Sequence, residues 1–342
     1  MANETKYADR TIPKISLRDF DARIDAVAAE LVAAAETDGF FAVVDHGIPK
    51  SAIRAQFAQA ERFFAQADAT KRTVPFTAGN VGWEARAQVR PSTGRPDQKE
   101  SYQLQYGPAM NDAWLPEAAL PGFRAASLAF MRRAHDVSAR LMRGLARGLG
   151  FPDDEYFVRV HDIAHPEVQT VLRLLHYFPL DPAVPVPDTY YRAGAHADFG
   201  FLTLLFQRPG ESGLEICPGR DAFTEFGLGD TWTKVEPVES EIICNIGDLL
   251  MSWSDDRFKS TFHRVRTPRD PAVDYFGSRY SMAYFNQPIK SCQIQGPLKK
   301  YPVVSGSEFI QAAIKRNYAA LEARKATDRK FEMQNMQQCE GC

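Results

Sequence analysis

The stretch GAHADFGFLTLLFQ carries two residues whose types and spacing suit a metal ion. His196 and Asp198 stand two positions apart, just before an apolar run. In an extended chain, side chains at i and i+2 point to one face. If the stretch is a strand, a neutral imidazole and a carboxylate therefore converge. A lone His-X-Asp more commonly bonds water or backbone at a strand end, so the rest of the ligand set has to come from elsewhere in the chain.

Two histidines and one carboxylate, with coordination positions left open, form the ligand set of non-haem Fe(II) oxygenases. The chain holds seven histidines. His46 falls in the turn DHGIP, His135 in a long helical segment, and His161 and His165 flank a loop. His176, in LRLLHYFP, and His263, in STFHRVRTP, both lie on strand-like runs. His263 is favoured as the second imidazole, with His176 as its competitor. A further polar pair, Arg279 and Ser281 in RYSMAYF, shares one strand face. A buried arginine needs an anionic partner, and guanidinium grips a carboxylate with two parallel hydrogen bonds. That partner is either a carboxylate-bearing ligand or an internal Asp or Glu.

The elements that would position these residues can be read from periodicity. Helical spacing marks DARIDAVAAELVAAAETDGF, KSAIRAQFAQAERFFAQ and FRAASLAFMRRAHDVSARLMRGLARGLG, the last with Gly150 placed to end it. FFAVVDHGIP reads as a buried strand closed by a turn. Residues 70–125 mix loops and short strands. From about Val168 to Ile294, short strand-like runs recur between Gly, Pro and Asp, among them FGFLTLLFQ and EIICNIGDLLMSW. That rhythm predicts a β-sandwich or barrel of the jelly-roll type. GSEFIQAAIKRNYAALEARK predicts a C-terminal helix, followed by a tail expected to be disordered. The chain divides into an N-terminal region 1–122, a long helix plus β core 123–305, and a C-terminal segment 306–342. With 342 residues, 44% hydrophobic and 25% charged, it can bury a sizeable core. A net charge of −2 and the lack of a basic stripe argue against nucleic acid as a partner. No run of about 18 apolar residues predicts a membrane span. Without a signal-peptide core the expected location is cytoplasmic. The five cysteines are irregularly spaced and do not read as a disulfide framework.

Taken in order, IPKISLRDF, TDGFFAVVDHGIP, GAHADFGFLTLLFQ, GLEI, NIGDLL, STFHRV and RYSMAYF resemble the Fe(II)/2-oxoglutarate-dependent dioxygenases of the isopenicillin N synthase-like family. NIGDLL and STFHRV are the most specific blocks, and the resemblance runs from about Ile12 to Ile294. It implies a mainly β fold with flanking helices: a double-stranded β-helix, a cupin-like jelly roll, packed with N- and C-terminal helices. It implies a metal triad of His196, Asp198 and His263, and a cosubstrate pair at Arg279 and Ser281 with Tyr177 beside them. Fe(II), 2-oxoglutarate and O2 would be the reactants, with ascorbate as the reductant in vitro. Departures from the family pattern are Leu175, where many relatives carry Asn, VESE before NIGD, and the added-looking PRDPAVDYFG between His263 and Arg279.

On this resemblance a small molecule is hydroxylated, with desaturation or ring expansion as variants, and succinate and CO2 are released. The texture of GWEARAQVRPSTGRPDQKESYQ is similar to fungal tailoring dioxygenases of polyketide and tropolone pathways, implying an aromatic, oxygenated substrate. Trp83, Arg90, Phe199 and Phe201 are the substrate-side candidates. Two alternatives stay open: an iron oxidase of the same fold that does not use 2-oxoglutarate, and a metal-binding barrel without activity. A monomer would suffice for any of these.

Overall fold

The structure, a computed structural model, describes residues 5–89, 95–187, 190–217 and 231–315. The first half of the chain runs β1 (Lys6–Tyr7), β2 (Lys14–Ser16), α1 (Phe20–Thr37), β3 (Phe40–Val44), α2 (Lys50–Phe64), α3 (Asp68–Lys71), β4 (Gly82–Ala85), β5 (Lys99–Gln105), α4 (Phe123–Gly148) and α5 (Tyr156–Val160). The second half runs β6 (Val171–Tyr177), β7 (Ala193–His196), β8 (Leu202–Gln207), β9 (Leu214–Cys217), β10 (Thr231–Val235), β11 (Ile242–Ile246), α6 (Asp248–Trp253), β12 (Phe262–Val265), β13 (Arg279–Asn286), β14 (Gln293–Ile294) and β15 (Val304–Ser305). Residues 306–315 are helical, at the start of the predicted C-terminal helix; the rest of that segment lies outside the described residues.

Among the described residues, an eight-stranded sheet has the order β2-β3-β11-β8-β13-β6-β5-β4, and a five-stranded sheet has the order β1-β10-β9-β12-β7. Strands of the N-terminal region thus extend the same large sheet that the β core builds. Alternation along its strands sorts the side chains into two sets. Leu172, Leu174, Leu202, Leu204, Phe206, Met282 and Tyr284 enter one apolar cluster with α1, α2 and α4. Their sequence neighbours Arg173, Leu175, Tyr177, Thr203, Leu205, Ala283 and Phe285 face a cavity on the opposite side. Two small clusters join the sheets: Phe40, Ala42 and Ile243 meet Leu214, Ile216 and Val235, while Leu175, Tyr177 and Ala283 meet Ala193 and Val265. This is the expected jelly roll with flanking helices, its sheets facing each other without closing into one barrel.

Helix α4 ends as its sequence predicts. Gly150 takes φ +77°, its N–H bonds Arg147 O, and the N–H of Phe151 bonds Ala146 O. That is the paired bonding of a glycine-terminated helix. EIICNIGDLLMSW, expected as one strand-like run, is instead split: β11 ends at Ile246 and α6 begins at Asp248. Gly247 makes the break, in such close quarters that a Cβ there would lie 2.1 Å from Gly200 O.

The sorting of the large sheet gives a direct test. Leu204 is fully buried against the helices, whereas Leu205 faces the cavity and is only partly buried. Leu204→Ala is expected to cost about 3 kcal/mol, within the range for buried leucines, and Leu205→Ala less than about half of that. Urea midpoints of the two variants measure the difference, and equal losses would contradict the assigned faces.

Candidate active site

Strands β7 and β12 pair antiparallel with His196 directly opposite His263. The imidazoles therefore lie side by side, with ring centroids 4.3 Å apart. His196 Nδ1 is 2.8 Å from Gly194 O, and His263 Nδ1 is 3.3 Å from Thr261 O. A carbonyl oxygen only accepts, so each Nδ1 carries the proton and each Nε2 presents its lone pair. Both Nε2 atoms point toward Asp198: Oδ1 is 3.9 Å from that of His196 and 3.8 Å from that of His263. Ligand atoms of the three residues all lie within 4.8 Å of one another.

Strand parity does not place Asp198. β7 stops at His196, residues 197–199 belong to no strand, and the chain bends at residues 200–201. The aspartate is instead held from β8, β11 and α6. Thr203 Oγ1 and Asn245 Nδ2 donate to its Oδ2 at 2.7 and 2.8 Å. At the start of α6, the N–H of Asp248 donates to Asp198 O and that of Leu249 to Gly200 O. One carboxylate oxygen is thus committed to hydrogen bonds and the other faces the imidazoles. Thr203 and Asn245 were missed in the sequence, although each stands out as a polar residue inside an apolar run and Asn245 opens the NIGD block.

On the eight-stranded sheet, across from the five-stranded sheet that carries His196 and His263, Arg279 pairs in register with Tyr177 and its guanidinium sits 4.8 Å from the tyrosine ring centre. Arg279 is 1% exposed. Its Nε donates to the carbonyls of Glu211 and Ser212, and its Nη2 to Gln207 Oε1 at 2.8 Å. Among the described residues Nη1 has no partner, and neither do the buried Ser281 Oγ and Gln207 Nε2. No carboxylate of the described residues pairs with Arg279, so an internal salt bridge is not formed there. A second buried guanidinium, Arg192, lies nearby; burial, then the charge of Arg279, lowers its pKa to about 10. Orphaned donors next to surplus positive charge fit an anionic carboxylate.

The remaining sequence candidates fall in different places. Phe199 lines the cavity. Phe201 does not: it packs on the helix side against Phe157 and His161, with centroids 4.8 and 4.5 Å apart. Because the chain bends between the two phenylalanines, i and i+2 no longer share a face. Trp83 is in the core on the helix side too, its Nε1 donating to Glu100 Oε2 at 2.8 Å. Arg90 lies outside the described residues. His176, the competitor ligand, faces away from the cavity: its Nδ1 is 2.8 Å from Glu100 Oε1 and its ring stacks on Tyr280. His46 is a turn residue whose Nδ1 accepts from the N–H of Ile48.

Comparison with known proteins accords with this geometry. Residues 169–288 match the 2OG-Fe(II) oxygenase superfamily, and residues 12–120 match the N-terminal region of non-haem dioxygenases in morphine synthesis. The chain is 32% identical over 298 residues to the proline hydroxylase buaE of Petromyces alliaceus, covering 82% of this chain and 86% of that protein. The chain belongs to the 2OG-Fe(II) oxygenase superfamily. Another relative, the 2-oxoglutarate-Fe(II) type oxidoreductase ppzD of Metarhizium rileyi, is 32% identical, covering 86% of this chain and 82% of its own. Among solved structures, a full-length Neurospora crassa protein crystallised in complex with alpha-KG superposes with a TM-score of 0.77 at 26% identity, covering 91% of this chain and 99% of its own. The same Neurospora crassa protein with alpha-KG and thymine gives 0.75 at 28% identity, covering 88% and 96%. This oxygenase is a non-haem iron, 2-oxoglutarate-dependent dioxygenase, with Fe(II), 2-oxoglutarate and O2 as its cofactor and cosubstrates.

Groups that orient metal ligands typically change metal affinity by about 10–100-fold when removed. Thr203→Val and Asn245→Ala are each expected to weaken Mn(II) binding by a factor in that range while the circular dichroism spectrum stays unchanged. Calorimetric titration with Mn(II) measures it; unchanged affinity in both variants would remove these residues from the support of Asp198.

Proposed function

We propose that His196, Asp198 and His263 hold the iron, that Arg279, Ser281 and Tyr177 receive the distal carboxylate of 2-oxoglutarate, and that the substrate is a small, planar, oxygenated secondary metabolite. One observation carries the reading. Three convergent metal ligands, two of them on the five-stranded sheet, lie between the sheets, and the eight-stranded sheet carries the orphaned, buried donors of Arg279 and Ser281. When bound there, iron supplies the activation of O2 coupled to decarboxylation of 2-oxoglutarate to succinate. The chain's own residues do the positioning. Asp198 and the two imidazoles face the cation with their free lone pairs. Arg279 neutralises a carboxylate while Ser281 donates a hydroxyl hydrogen bond. Leu205, Ala283 and Val265 keep the space between them apolar, which favours charge interactions over hydration.

The small-molecule class is supported by relatives that carry names such as proline hydroxylase and by the Neurospora crassa protein, which is seen with thymine. Oxidation of an aromatic or polyketide-derived compound, by hydroxylation with ring expansion or desaturation as variants, fits a mixed polar and apolar cavity. A cytoplasmic location is supported by the buried, unbridged thiols of Cys244 and Cys292 and by the lack, among the described residues, of any helix long and apolar enough to cross a membrane. The proposed partner is a diffusible small molecule, as for the Neurospora crassa protein seen with thymine.

Succinate release from 2-oxoglutarate, with Fe(II), ascorbate and air, tests the assignment. His196→Ala, Asp198→Ala and His263→Ala should each abolish it, whereas His176→Ala should leave metal binding intact. Losing a charge-assisted hydrogen bond pair corresponds to about a 10–100-fold effect. Arg279→Ala is thus expected to raise the KM for 2-oxoglutarate by that factor with Mn(II) affinity unchanged. Equal loss of metal and cosubstrate binding would make Arg279 a structural residue, and turnover independent of 2-oxoglutarate would favour the oxidase alternative.

A further inference from the structure

The cavity contains a third charged feature, away from both the metal ligands and Arg279. Arg173 lies on β6, between Gln103 of β5 and Ala283 of β13 in the sheet register. A hydrogen-bond relay fixes it from behind. Gln103 Nε2 donates to Asn80 Oδ1 at 2.8 Å, and Gln103 Oε1 accepts from Arg173 Nε at 2.6 Å. Gln103 is fully buried and Asn80 nearly so. The guanidinium carbon lies 5.4 Å from the ring centre of Phe285, which faces the same cavity.

The cations of this chamber are treated differently. Lys99 also lines it, but pairs with buried Asp97. Asp97 in turn accepts the N–H of Gly194 at 2.9 Å. Glu84, on the neighbouring edge strand, takes Ser101 and Gln88. No carboxylate of the described residues pairs with Arg173; its hydrogen bond there goes to a neutral amide. A half-buried guanidinium usually finds an anion. With Nε occupied, its free donors are Nη1 and Nη2, an end-on fork whose spacing matches the two oxygens of a carboxylate. The face of Phe285 beside that fork offers a stacking surface for a flat apolar body.

We propose that the substrate is a planar monocarboxylate, held end-on by Arg173 with its ring against Phe285 and its oxidised carbon toward His196, Asp198 and His263. The inference rests on the oxygenase reading above and adds the substrate's charge to it. Arg173 is a specificity-determining residue, and the Asn80–Gln103 relay positions it.

Matched aromatic pairs test this: benzoate, salicylate and 2-naphthoate against their methyl esters. Binding is measured by calorimetry on the anaerobic protein loaded with Fe(II) and 2-oxoglutarate. Acids are expected to bind the wild type about tenfold or more tighter than the esters. Arg173→Gln should erase that preference while leaving 2-oxoglutarate affinity unchanged. Arg173→Lys, which keeps the charge but loses the fork, should restore only part of it. Gln103→Leu should weaken acid binding in the same direction, with less effect than Arg173→Gln. Esters binding as well as acids, a preference that survives Arg173→Gln, or no binding by any member of either series would each overturn the proposal. Succinate release from 2-oxoglutarate by wild type and His196→Ala is run in parallel. Release that depends on His196 keeps the oxygenase reading even where the acid preference fails, and its absence counts against that reading instead.

Discussion

The site depends on a carboxylate with one oxygen already spoken for. Thr203 and Asn245 fix Asp198 Oδ2, so Oδ1 alone faces the two Nε2 atoms. Both imidazoles turn Nδ1 to backbone carbonyls, which leaves Nε2 as the nitrogen that faces the aspartate. A mostly buried carboxylate beside two lone pairs is unfavourable until a cation joins it. The surrounding backbone exists to hold that arrangement. β7 ends just before Asp198, Gly247 breaks β11 where a side chain would strike Gly200, and the first N–H groups of α6 grip the carbonyls of Asp198 and Gly200.

Charge then organises the rest of the cavity. One end carries the negative charge of Asp198, while the other carries buried Arg279, with buried Arg192 close enough to feel its charge. A divalent cation at one end and a dicarboxylate spanning the two would leave both ends near neutrality, which a low-dielectric interior requires. The large sheet makes the separation reliable. Its strands alternate between helix-facing, mostly apolar residues and cavity-facing ones, and a slip of one residue would exchange the two sets wholesale. Burying Leu172, Leu174, Leu204 and Met282 against the helices therefore also aims Arg173, Tyr177 and Ala283 into the cavity.

Much of this was legible in the sequence, and the limits have physical causes. Residue type and strand-like texture singled out His196, Asp198, Arg279 and Ser281, and the jelly roll followed from the spacing of short apolar runs. The choice between His263 and His176 could not come from parity along one strand, because both histidines sit on strands; it is made by the pairing of β12 with β7, a contact between distant segments. Phe201 and Trp83 were misjudged for related reasons. The bend at residues 200–201 breaks the alternation on which Phe201 was placed, and Trp83 follows Tyr102, its partner across β4 and β5, to the helix side. Arg173 and Gln103 gave no local signal at all, since a long polar side chain in a strand is ordinary until its neighbours on the sheet are known.

His176 shows how the two faces support one another. It follows Leu175 and precedes Tyr177 on β6, so it points to the helices while they point to the cavity. There its Nδ1 meets Glu100, which also takes Lys71 and the indole of Trp83 at 2.8 Å each. Burial opposes ionisation of Glu100, but hydrogen bonds from His176, Lys71 and Trp83 outweigh it and hold the carboxyl below its usual range. Opening such a buried network by removing one partner leaves a charge without compensation. The cluster therefore resists displacement of β5 and β6 relative to α3 and β4. Those two strands carry Gln103, Arg173 and Tyr177 on their other face. An ionic cluster that touches no reactant thus fixes the strands from which the cavity reaches its ligands, and a histidine that looked like a metal ligand in the sequence is part of that foundation.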